Sequence, residues 1–308
     1  MIELRYKNRE TGFHELNVFA KLVWLVSIFV LALVFSHPLY LLLLFWAILP
    51  SVAVAKVWRE WLTSMRFAAY LALAIVVINV LVSHHGSHIL YQAPINLPVV
   101  GTPVITLEAI AFGFGMALRL LVLISAFSII NLTVHPDDMM LAMTKINLPY
   151  KSVMVTSLSS RFIPTLMEDI ERIRDVQRAR GLELDKGALA QRVKHYSAVI
   201  IPLLSNSLDR AVQVAEAMES RAFGTGIRRT FYKEMKISQL DILTIVSGFL
   251  LLMLGILMRY YGYGGYRYYP TLEAINPDGL ELALLALLVL LISGLALWAL
   301  VKKGLEID

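Results

Sequence analysis

The sequence contains no cysteine. Disulfide frameworks and cysteine-ligated metals or clusters are therefore excluded, and cysteine usage leaves the redox compartment undecided. Charge is also scarce: 17% of the residues are Asp, Glu, Lys or Arg, against about 25% in an ordinary soluble domain. No phosphate-binding P-loop pattern occurs, so any nucleotide hydrolysis tied to this chain must be supplied by another. Zincin and nucleophile-elbow motifs are missing too, which removes two large classes of hydrolase. There is no internal repeat and no low-complexity tract.

Apolar residues are plentiful, at 58% of the 308 positions, and they fall in long runs of the kind a bilayer selects. A helix crosses the hydrocarbon in about 20 residues. Six runs qualify: Val18 to Phe35, Leu39 to Val54, Phe67 to Val82, Ile105 to Leu132, Leu240 to Met258 and Leu282 to Val301. Backbone groups in lipid must be satisfied within the segment, so each run is expected to be a helix. The first two are separated by Ser36-His37-Pro38, and proline ends the first helix and opens a tight helical hairpin. No small-residue cleavage site follows the first run, which is read as a permanent anchor and not a signal peptide.

Lys and Arg in the short flanks set the orientation. Arg5, Lys7, Arg9 and Lys21 lie near the N-terminus, Lys56, Arg59 and Arg66 between the second and third runs, and Lys302 and Lys303 near the C-terminus. Residues 83–103 hold neither Lys nor Arg. Six spans with both termini in the cytoplasm place every basic cluster inside. The expected architecture is an all-α polytopic membrane protein. Residues 1–132 carry spans one to four, residues 133–238 form cytoplasmic amphipathic helices, and residues 239–308 carry spans five and six.

That central segment holds 16 Lys and Arg interleaved with 12 Asp and Glu, a mixture that argues against a nucleic-acid face. Val155, Leu158, Phe162, Leu166, Ile170, Ile173 and Val176 recur at helical steps and form one apolar stripe. That helix should stop at Gly181. Ile200, Leu204, Leu208, Ala211, Ala215, Met218 and Ala222 make a second stripe, started or kinked by Pro202 and ended by Gly224. A shorter helix, Pro136 to Ile146, precedes both. The two stripes pack on each other, on the spans, or in the bilayer interface; the sequence is the same for all three.

Both long helices end on an arginine between small residues: Ala179-Arg180-Gly181 and Ser220-Arg221-Ala222. A cation in the last turn offsets the helix dipole, and one such ending needs no further reason. Two in the same segment suggest more, because a guanidinium is always charged and its planar fork fits a carboxylate bidentately. With these residues the sequence resembles the transmembrane T component of energy-coupling factor transporters, the group that includes the CbiQ-type cobalt transport subunits. That family carries two Ala-Arg-Gly motifs at the ends of cytoplasmic coupling helices. The first is matched fully, while the second keeps its arginine but has Ser220 and Ala222 beside it. Arg161-Phe162-Ile163-Pro164, Gln177-Arg178, Ala217-Met218-Glu219, Leu118-Arg119 and Pro136 add to the likeness, which covers residues 113–224 well.

The resemblance implies a non-catalytic subunit without a cofactor. Its two arginine tips would dock in two cytoplasmic ATPase subunits, and ATP-driven motion would pass to a small membrane subunit that binds a vitamin or a transition-metal ion. Arg119, in the middle of span four, should face protein or water, since lipid would cost it about 2.5–3.5 kcal/mol. A structural bond to carbonyls, snorkelling and a contact with substrate or partner are its alternatives. His84, His85 and His88 can collect a divalent metal. No carboxylate lies nearby in sequence, so a solvated loop is the reading kept and no metal site is assigned. The rival readings are a membrane-embedded enzyme acting on lipid or isoprenoid substrates, and a self-sufficient carrier. The first needs clustered acids or histidines at one bilayer face. The second needs several ionisable groups at the midplane.

Overall fold

The computed structural model describes residues 11–83, 86–92, 104–145, 149–182, 189–224 and 237–305. The chain divides into two units, one made of residues 1–139 and 235–308 and the other of residues 140–234.

The first unit is the membrane unit. It contains α1 (Gly12–Glu15), α2 (Val18–Val34), α3 (Pro38–Ala55), α4 (Trp58–Val82), α5 (Leu107–Thr133), the start of α6 (Pro136–Lys145), α9 (Gln239–Tyr260) and α10 (Gly279–Leu305). Four of these helices, α3, α4, α5 and α9, are long and apolar enough to cross a bilayer, and α2 and residues 279–294 of α10 are apolar but shorter. The starts follow local chemistry. Asn17 caps α2 by accepting from the Phe19 N–H, and Thr106 caps α5 by accepting from Ala109. Pro38 occupies the first turn of α3, behind a cap in which His37 Nδ1 accepts from the Leu39 N–H at 3.2 Å. Each cap satisfies a donor that the helix itself leaves unpaired.

Helix α2 packs on α9 and α5, α3 on α5 and α10, and α4 on α5. Ile28, Leu31, Phe35, Tyr40, Leu44, Ile48, Ile129, Leu251, Leu288 and Ile292 are sealed inside the bundle. Gly248 and Gly255 on α9 leave room for Val23 and Leu31 of α2, and Ser27 Oγ donates across the same seam to the Gly248 carbonyl at 2.9 Å. Small residues at a helix seam let the backbones approach and gain dispersion contact that lipid tails would otherwise supply.

Two expectations need correction. The third span begins at Trp58, not Phe67. Residues 58–66 are too polar to register as an apolar run, yet Trp61 and Met65 are buried and Trp61 Nε1 donates to Ser125 Oγ of α5 at 2.9 Å. The region between spans three and four also holds an unforeseen antiparallel pair, β1 (Ile89–Gln92) and β2 (Val104–Thr106), with Ile89 opposite Thr106 and Gln92 opposite Val104.

The second unit is polar and contains α7 (Tyr150–Ala179) and α8 (Leu189–Ser220). Pro202 neither starts nor ends α8. It lies inside the helix, as Pro164 lies inside α7. The two helices run antiparallel. Arg210 of α8 donates to Asp169 of α7 at 2.8 Å, and Gln177 Nε2 donates to the Ala198 carbonyl at 3.2 Å, so advance along one helix is retreat along the other. The α8 stripe stays open at Ile200, Leu204 and Leu208, whereas on α7 Val155 and Val176 are the exposed members of the stripe, with Ile163 and Met167 exposed beside it.

Candidate functional site

The two arginine endings have the same geometry. At the end of α7, Arg180 is the cap residue, the Gly181 N–H reaches the Arg178 carbonyl at 2.9 Å, and the Leu182 N–H reaches the Gln177 carbonyl at 3.0 Å. At the end of α8, the Ala222 N–H reaches Glu219 at 2.9 Å and the Phe223 N–H reaches Met218 at 3.0 Å. Both are Schellman endings, in which the residue after the cap adopts the left-handed conformation. Gly181 does so at φ 83° and Ala222 at φ 55°. Ala222 therefore stands where glycine is preferred, at a cost of about 1–2 kcal/mol, and still forms the same turn.

Arg180 and Arg221 thus hold equivalent positions, and both are exposed, as are Ala179, Gly181, Ser220 and Ala222. Among the described residues, a Cβ placed on Gly181 would meet nothing within 4 Å. Ser220 Oγ donates to the Ala217 carbonyl at 3.0 Å, which turns its hydroxyl back onto its own helix and away from the arginine.

The Asp169–Arg210 pair relates the two tips. Arg180 lies eleven positions beyond Asp169, and Arg221 eleven beyond Arg210. Because the helices are antiparallel, the tips point in opposite directions from a common midpoint, roughly 30 Å apart at 1.5 Å per residue. Neither Asp169 nor Arg210 was singled out in the sequence, since each sits among other charges. The ion-pair partners are 41 positions apart, as the two arginines are, which places each arginine equally far from the bond.

Arg119 lies in α5, away from these tips in sequence. Its Nε donates to the Ala32 carbonyl at 2.9 Å, Nη2 to the Phe35 carbonyl at 3.0 Å, and Nη1 to Met116 Sδ at 3.3 Å. Ala32 and Phe35 lie in the last turn and at the cap of α2, where carbonyls lack helical partners and the dipole is negative. The side chain closes that helix end.

Of the histidine cluster, His84 and His85 lie outside the described residues. His88 is held by an acid distant in sequence: its Nδ1 is 2.8 Å from Glu108 Oε1, and its backbone N–H donates to the same oxygen at 3.1 Å. Glu108 is fully buried at the start of α5. Among the described residues no three His, Asp or Glu side chains come together as a metal site would require. At the end of α9 and its cap, Tyr260 and Tyr261 are exposed. Tyr268 instead turns inward and donates to the Ser36 carbonyl at 2.9 Å, and burial pushes its phenol up to about 12.

Four helices long and apolar enough to cross a bilayer, with two shorter apolar helices packed among them, define a multi-pass membrane protein. Residues 10–232 match the family model described as CbiQ, cobalt transport protein, and the chain belongs to that family. Similar curated proteins are named energy-coupling factor transporter transmembrane protein EcfT. The one from Staphylococcus aureus is 27% identical over 269 residues, which are 84% of this chain and 97% of the relative. The one from Lactococcus lactis is 29% identical over 268 residues, 83% and 97% of the two chains. The one from Clostridium kluyveri is 34% identical over 160 residues, 49% of this chain and only 59% of the relative. The family is one of transport components and not of enzymes, so the lipid-modifying alternative finds no support.

Proposed function

We propose that the chain couples ATP hydrolysis on two cytoplasmic ATPase subunits to a separate small membrane subunit that binds the substrate. The observation that carries this reading is the pair of arginine caps with the same hydrogen-bonded turn. An antiparallel helix pair has an approximate two-fold axis between its helices, here running past the Asp169–Arg210 ion pair. Two identical subunits related by a two-fold axis present the same surface twice, and each would meet one arginine in the same setting.

The chemistry suits docking. Each guanidinium stands on an open cap with small neighbours, so it can enter a groove without the collision a bulky flanking residue would cause. Its fork pairs with a carboxylate in a fixed orientation, so it can carry a directional push. Loss of one partner from a buried charged pair at an interface costs about 2–5 kcal/mol. The exposed apolar residues of α7 and α8, such as Met167, Leu204 and Leu208, offer the substrate-binding subunit a greasy surface.

Basic residues at positions 56, 59, 66, 302 and 303, against none at 83–103, support the reading that both termini and the arginine tips lie on the cytoplasmic side of a cell membrane. The substrate class is a vitamin or a transition-metal ion, chosen by the binding subunit. The test is purification of the chain together with its ATPases. The chain should bring down two ATPase copies and hydrolyse ATP only with them, and Arg180→Glu should reduce the retained ATPase to about one copy. Unchanged retention would overturn the reading.

A further inference from the structure

The polar unit is joined to the membrane unit at two places, after Met139 and before Met235. Within the membrane unit, the end of α5 and the start of α9, which lead toward these two places, are both bonded to the start of α2. Lys21 is only 2% exposed, and its ammonium donates to the carbonyl of Thr133, the last residue of α5, at 2.9 Å and to that of His14 at 3.0 Å. On the return path, Asp241 in the first turn of α9 is also 2% exposed. One of its oxygens accepts from the Asn17 N–H at 2.6 Å and the other from the Ser238 N–H at 2.7 Å. Asn17 is the cap of α2. Asp138 and Asp241 supply the charge opposing Lys21.

A buried ammonium is costly, and an apolar side chain of the same length would fill the site without that cost. What the charge adds is connection. The cation meets the negative end of the α5 dipole and the carboxylate meets the positive end of the α9 dipole. Through Lys21 and Asn17, the exit from α5 and the entry to α9 are both bonded to one turn of α2. Helix α2 in turn packs on both α5 and α9 through the bundle core.

We propose that the Lys21–Asn17–Asp241 node is the mechanical relay of this subunit: displacement of the polar unit reaches the membrane helices through the N-terminus of α2. Lys21 and Asp241 are positioning residues in this scheme. They make no contact with nucleotide or substrate, and the inference rests on the coupling function proposed above.

The chain lacks cysteine, so paired spin labels can be placed cleanly in the assembled transporter. One pair, at Val26 and Leu73, reports on the membrane helices, and another, at Met167 and Leu208, on the polar unit; all four positions are exposed. Distances are measured without nucleotide and after trapping with ATP and vanadate. In wild type both pairs should shift. In Lys21→Met the ATPases should stay bound, hydrolysis should stay within about twofold, and the polar-unit pair should shift while the membrane pair does not. Lys21→Arg, which keeps the cation and its donors, should restore the membrane shift. If Lys21→Met fails to assemble, Asp241→Asn, which keeps its size and one acceptor, should give the same separation of the two signals. A membrane shift in these variants equal to wild type, or no membrane shift in wild type, overturns the relay alone. Absence of bound ATPase in wild type overturns the coupling function, and the relay with it.

Discussion

Arg210 donates to Asp169 at 2.8 Å, and this bond ties α7 to α8 midway between Arg180 and Arg221. With Asp169 mostly buried and Arg210 partly so, removing one partner strands the other charge. Arg210→Met should destabilise the α7–α8 pair by about 1–3 kcal/mol. Exchanging the two as Asp169→Arg with Arg210→Asp should recover part of the loss. Melting of the four corners of that double-mutant cycle measures the coupling.

The two helix endings should respond with opposite signs. Ala222→Gly relieves a left-handed alanine and should tighten the end of α8 by about 1 kcal/mol, while Gly181→Ala should loosen the end of α7 by a similar amount. Hydrogen exchange at the Phe223 and Leu182 amides, each bonded back to its helix, reads these changes directly.

These endings also show how far the sequence could be read. The Ser36-His37-Pro38 break, the α6 helix from Pro136 and the end of α7 before Gly181 were legible because proline and glycine act locally. The start of α4 was not, because burial of Trp61 depends on Ser125 of another helix. Of the two readings of Pro202, a start is excluded because α8 already runs from Leu189, and an interior position, as the kink reading requires, is what the helix has. The inward turn of Tyr268 and the Glu108–His88 contact join residues far apart in sequence, and local pattern carries no trace of them. Arg119 announced itself by its cost in a membrane, but only the fold shows which carbonyls it serves.

Arg119→Lys tests that service. A lysine keeps the charge and loses the fork that spans the Ala32 and Phe35 carbonyls. The variant should melt lower by about 1–2 kcal/mol of stability, with ATPase retention and ATP turnover per assembled complex unchanged. A turnover defect at wild-type stability would instead place Arg119 in the transport cycle.

His37 makes the hairpin between α2 and α3 sensitive to acid. Burial pulls its imidazole below the usual histidine value, and its neutral Nδ1 accepts the Leu39 N–H. The folded state therefore disfavours the proton, so the stabilisation is complete above the ordinary histidine range and is lost as pH falls through the lowered value. Thermal melting across that window should show the loss, and His37→Asn, which keeps an acceptor without a titrating group, should flatten it.

The central claim is that Arg180 and Arg221 are two equivalent handles for two ATPase subunits. The most direct measurement is the number of ATPase copies retained by purified wild type, Arg180→Glu, Arg221→Glu and the double variant. The account predicts two copies for wild type, about one for either single variant and none for the double variant, with the membrane unit still folded. Two copies retained by the double variant would contradict it.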